Sequence, residues 1–230
     1  MPRRNLMRER TARLARNRHF SGKRVPPKWH KTEGANLLKM KRGDMVLAIN
    51  QRHTLGGVFS RTVAKLTNGK YAHVSAYMGK PEGKHQIRDF KGIRGHRKIQ
   101  WEEFAKTGLD LKVVRWKGAS KEQMHDFLEN LEKIPNKIGK WYDFPQAIGY
   151  TKWLSLLKLD MKKFFTCSEF LSTAGSPNKK EIGKYKLNRP KPPLLFHPTL
   201  SPEKVTPAII DAAVKSGILE VITEQTWEKK

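Results

Sequence analysis

A single cysteine, Cys167, in 230 residues sets the terms on which this chain can fold. Without a second thiol there is no intrachain disulfide, so the structure must hold itself together by burying apolar surface. The means are present: 37% of residues are apolar and 9% aromatic, and the length suits one sizeable domain with appended segments. The cysteine sits where an apolar run turns into a helix, in Phe164-Phe165-Thr166-Cys167-Ser168-Glu169-Phe170-Leu171. Thr166 and Glu169 have capping-box spacing, which makes Thr166 the N-cap and Cys167 the first helical residue. A thiol there meets the positive end of the helix dipole, which favours thiolate.

The apolar pattern upstream of the cysteine is that of strands. Met45–Ile49 reads as a short buried strand behind the turn Lys41-Arg42-Gly43-Asp44. A short helix follows over Gly56–Ala64, then the turn Asn68-Gly69, then a strand over Tyr71–Gly79. His85–Phe90 reads as its hairpin partner, Gly92–Ile99 extends the meander, Trp101–Lys106 forms a helical turn, and Leu109–Trp116 is another strand. Helices dominate thereafter. Ser120-x-x-Gln123 is a capping box before Met124, Phe127, Leu128 and Leu131, which recur at helical spacing. Asp143 and Pro145 open another helix, the cysteine helix stops at Gly175, and Thr206-Pro207 begins the last helix, with Leu219–Ile222 as a final strand. Strands followed by helices imply an α+β fold, an antiparallel sheet packed against helices, and not a βαβ repeat. The expected division is a basic arm over 1–36, a core over 37–175, and a Lys/Pro-rich loop with a terminal helix and strand packing on the core over 176–230.

Charge defines the expected partners. Lysine and arginine number 47 against 21 acids, a formal balance of +26. Residues 1–32 hold eleven of these cations and one acid, Glu9. An arm of that composition is expected to be ordered by a polyanion, either DNA or an acidic protein surface. No run of 18 apolar residues suggests a transmembrane segment, and the basic N-terminus lacks the apolar stretch of a signal peptide.

A thiol hydrolase needs a base for its nucleophile and a polar group to orient that base. Of eight histidines, His73 is best placed, inside an otherwise apolar strand where a titratable side chain is costly unless used or paired. Tyr71 precedes it at strand spacing, so both are expected on one face. Asp89, on the hairpin partner, is the candidate orienter; pairing with Arg88 or Lys91 is the structural alternative, and His85 and Gln86 are fallbacks. A single cysteine allows no zinc-finger spacing, no helix-spaced metal motif occurs, and no Walker-type phosphate loop is present, so neither metal nor cofactor is expected.

Gly43-Asp44 before a strand, Tyr71-x-His73-Val74-x-x-Tyr77-Met78-Gly79, a strand pair, Tyr142-Asp143, and Phe165-x-Cys167-Ser168-Glu169-Phe170 together resemble the permuted NlpC-type papain-like superfamily over residues 40–175. In these relatives of cell-wall peptidases, histidine precedes cysteine in the chain. The resemblance implies Cys167 as nucleophile and His73 as base. Asp89 falls where the family often carries a polar third residue, commonly Glu. Tyr71, Tyr142, Asp143 and Ser168 are implied as cleft-lining. The expected activity is amide hydrolysis, in peptidoglycan stem peptides. Lipid ester or thioester hydrolysis is an alternative with the same chemistry. Another is a structural or nucleic-acid-binding role without catalysis. The absent signal and the basic arm suggest a phage virion component, or else the cytoplasm of the producing cell.

Overall fold

The structure, a computed structural model, describes residues 29–52, 54–90, 96–106, 108–134 and 167–229. Seven strands form one sheet in the order β1-β7-β6-β2-β3-β4-β5, and every neighbouring pair is antiparallel. They are β1 (Trp29–Glu33), β2 (Met45–Asn50), β3 (His73–Tyr77), β4 (Gln86–Phe90), β5 (His96–Gln100), β6 (Leu109–Trp116) and β7 (Leu219–Lys229). The described helices are α1 (Leu55–Leu66), α2 (Trp101–Phe104), α3 (Lys121–Lys133), α4 (Cys167–Gly175), α5 (Lys179–Tyr185) and α6 (Pro207–Lys215). The α+β class expected from the sequence is the one observed.

β2 lies between β3 and β6, and Met45 to Ile49 are buried without alternation because both faces are covered. On one face Met45, Leu47, Val74, Ala76, Val114 and Trp116 pack against α1, α3, α4 and α6 through Val63, Phe127, Leu131, Phe170, Leu171 and Ile210. On the other, Val46, Ala48, Tyr77, Ile87, Leu111 and Val113 pack with Trp101 and Phe104 of α2. Fully burying a side chain of this size contributes roughly 1.5–3 kcal/mol, so this two-sided core replaces the cross-links the chain lacks.

α4 is held at its C-terminal end. Asn130 of α3, fully buried, donates to Ala174 O and Asn188 O at 2.9 Å and accepts from Asn188 N at 2.7 Å. At Gly175 an added Cβ would lie 2.8 Å from Leu194 O, so the chain after α5 can approach the helix only because glycine stands there. α4 also packs on β3, which brings its first residue to the start of that strand.

Four differences from the sequence reading have local causes. Trp29–Glu33, inside the stretch read as an arm, is strand β1 on β7. Residues 176–200, read as loop, contain α5, whose Asn178-x-x-Glu181 capping box is formed on both sides. The Lys/Pro composition of that stretch masks the signal. β7 runs on past Ile222 to Lys229, because its polar residues are satisfied in the sheet: Glu224 lies 3.6 Å from Lys112 Nζ, and buried Gln225 donates to Leu109 O at 3.2 Å. The C-terminal strand, expected to pack on the core, enters the sheet between β1 and β6. Finally, β3 begins at His73 and not at Tyr71. The Thr166 cap, the Asp143 helix and most of the arm lie outside the described residues.

Candidate active site

β3 and β4 share ladder positions only at Ala76–Arg88 and Tyr77–Ile87. Beyond that point the strands are joined by side chains. Ser75 Oγ donates to Asp89 Oδ1 at 2.8 Å, and His73 Nε2 stands 2.5 Å from the same oxygen and 3.1 Å from Ser75 Oγ. His73 and Ser75 share a face by strand alternation, and Asp89 reaches that face from the neighbouring strand.

Nε2 is committed to Asp89. Cys167 is the other partner of the ring, interacting with His73 by charge and by a side-chain hydrogen bond. Cys167 is the first residue of α4 and 1% exposed, whereas the imidazole is 21% exposed. Ninety-four positions of sequence are closed by the packing of α4 on β3.

The electrostatics follow from these contacts. Burial opposes a charge on His73. The Cys167 and Asp89 charges and their hydrogen bonds outweigh it and push the imidazole from 6.5 up to about 10. Burial likewise works against an ionised Asp89. His73, Ser75 and Arg97 override it and hold the carboxyl below the usual carboxylate range. Both partners therefore favour the imidazolium form of His73, which stands between Cys167 and the Asp89 carboxylate. The dipole of α4 adds its positive end at the sulfur.

Arg97 completes the group. It sits opposite Asp89 in the β4–β5 register and donates to Oδ2 from Nε at 3.0 Å and Nη2 at 2.9 Å. The sequence reading missed both Ser75 and Arg97. Ser75 was detectable, because position i+2 from a strand histidine shares its face. Arg97 was not, since its placement opposite Asp89 depends on the cross-strand register of β4 and β5. Arg88 is not the partner found for Asp89; it bonds Glu132 of α3, on the other side of the sheet, and Lys91 lies outside the described residues.

The remaining candidates fall elsewhere. Tyr71 lies before the bend at Ala72, where strand alternation does not extend, and packs with Val74 and Ala76 in the helix-side core. Its ring carries Lys70 and Lys112 at 5.4 and 5.3 Å, and burial with nearby Glu224, Asp211 and Asp110 raises its hydroxyl pKa. Ser168 is buried and donates to Val205 O at 2.6 Å, a bond that ties α4 to the segment before α6. His85 bonds Tyr77 through Nδ1 at the far end of β3, and Gln86 pairs with Gln100 in the ladder. Tyr142 and Asp143 lie outside the described residues. Among the described residues no group of three or more His, Cys, Asp or Glu is arranged to hold a metal, and no helix is long and apolar enough to cross a membrane.

No protein-family model matches this chain, and no curated protein matches it.

Proposed function

We propose that this protein is a cysteine hydrolase that cleaves amide bonds, with peptidoglycan stem peptides as the substrate class. The observation that carries the reading is the unbroken chain from Cys167 through His73 to Asp89, with the sulfur on the first turn of a helix. A buried carboxylate fixing an imidazole that partners a thiol is the arrangement that activates a nucleophile. The resemblance of the ordered motifs to permuted NlpC-type peptidases supplies the substrate class.

In this mechanism the Cys167 thiolate attacks the carbonyl carbon, forming the carbon–sulfur bond and moving charge to the oxygen. The positive end of α4 favours that oxyanion. Collapse breaks the carbon–nitrogen bond as the His73 imidazolium gives a proton to the departing amine. Neutral His73 then takes a proton from water, which attacks the thioester. Collapse releases the carboxylic acid and restores thiolate and imidazolium. Asp89 holds the ring throughout.

Digestion of purified peptidoglycan is the test. Wild type is expected to release fragments with new amine and carboxyl ends, and Cys167→Ala to lose more than about 10³-fold of that rate. Sacculi left intact by wild type, with hydrolysis of an acyl ester or thioester instead, would move the substrate class to lipids. A second reading, polyanion binding by the whole chain, is favoured by the +26 charge. It predicts salt-sensitive DNA retention that Cys167→Ala leaves intact.

A further inference from the structure

We infer that Arg97 is a positioning residue for the nucleophile, acting through Asp89: by occupying one carboxylate oxygen from the edge strand it turns the other toward His73 and keeps it there. The inference rests on the hydrolase reading for its meaning, and on geometry for its content. Asp89 is fully buried, and a buried carboxylate without partners neutralises or rotates to find them. Its two oxygens are divided. Oδ2 takes only Arg97 among the contacts described above, through two nitrogens, while Oδ1 faces His73 Nε2 and Ser75 Oγ. Arg97 is itself steadied by Glu103, 3.5 Å from Nη1, at the start of α2.

The topology explains why this matters. β4 has left the β3 ladder before Asp89, so backbone pairing with β3 does not fix that residue. The pairing that persists there is with β5, where Asp89 stands directly opposite Arg97. β5 is the edge strand, and its arginine is 23% exposed at the side chain. A sheet edge therefore supplies the support for the orienting carboxylate. Replacement of Arg97 leaves two hydrogen bonds of Asp89 unmade and frees the carboxyl group to turn from the imidazole or take up a proton. Either event removes negative charge from His73 and with it the imidazolium that holds the thiolate.

The experiment follows His73 by NMR through a pH titration, with the ring signals assigned by their loss in His73→Gln, and follows the thiolate by its ultraviolet absorbance against Cys167→Ser. Arg97→Gln is expected to lower the His73 midpoint by about one unit or more, a tenfold fall in the ratio of imidazolium to imidazole at fixed pH. It should also shift thiolate formation to higher pH. Arg97→Lys restores part of both shifts, and in an Asp89→Asn background Arg97→Gln adds nothing further. A folded Arg97→Gln protein with both titrations unchanged overturns the inference, as does an equal shift with and without Asp89. Both readouts are independent of substrate. Failure to cleave peptidoglycan would thus count against the hydrolase reading alone, and unchanged titrations against Arg97 alone.

Discussion

Two buried aspartates stand two strands apart in the same sheet, one just before β2 and one on β4, each gripped by an arginine from an adjacent strand, and they do different work. Asp44, 1% exposed, receives Arg115 Nε on Oδ1 at 2.7 Å, and Arg115 Nη2 and Lys41 N on Oδ2 at 2.9 and 2.7 Å. The fork spans both oxygens, Nη2 also reaches Lys39 O, and the group closes the turn before β2. At Asp89 both arginine bonds fall on one oxygen, and the other is turned to a histidine. A carboxylate–arginine pair is thus a clasp when its arginine spans both oxygens, and an instrument when an oxygen is reserved for a group that can titrate. Hydrogen-bond geometry separates the two, although burial and charge are the same.

That contrast can be broken most forcefully by removing each charge alone. Asp89→Asn is expected to lower hydrolysis about 10²- to 10⁴-fold while the protein stays folded, because the imidazole loses the group that orients it. Asp44→Asn is expected to leave the His73 titration where it is and to cost about 3 kcal/mol of stability, read by denaturant unfolding, because Arg115 and Lys41 N lose an ionised partner. The reverse pattern would mean that the Gly-Asp turn and not the β4 aspartate serves the site.

A pH series sharpens the comparison. His73 is raised from 6.5 to about 10, so its contribution to stability is complete below about pH 6.5 and is lost as pH rises toward 10. Asp89 is lowered from 3.8, so its contribution is present above that value and disappears as acid protonates it. The stability gap between wild type and His73→Gln should therefore be widest between about pH 4 and 6.5 and narrow toward pH 10, whereas the gap between wild type and Asp44→Asn should not follow that alkaline loss. The smallest effect belongs to Ser75→Ala. It removes one hydrogen bond to Oδ1, worth about 1 kcal/mol, and should slow hydrolysis by no more than about tenfold.

The sheet was readable because its strands are buried apolar runs between turn residues, and α3 because Ser120 and Gln123 form their capping box as spaced. His73 and Cys167 were readable for a related reason: each is a chemically costly residue in an apolar setting. Tyr71 misled because alternation was extended two residues beyond the strand that enforces it. Arg97 was hidden, since cross-strand register is a long-range property and an arginine in a chain with 47 basic residues carries no local signal. β7 was underestimated because Glu224 and Gln225 look like the end of a strand until Lys112 and Leu109 are seen to receive them.

The most direct test of the account is the ultraviolet titration of the only thiol in the chain, wild type minus Cys167→Ser, in the presence and absence of His73. The account predicts that wild type already carries the thiolate at about pH 6, well below the ordinary cysteine value near 8.5, and that His73→Gln abolishes this low-pH thiolate. A thiolate that appears at the same pH with and without the imidazole would contradict it.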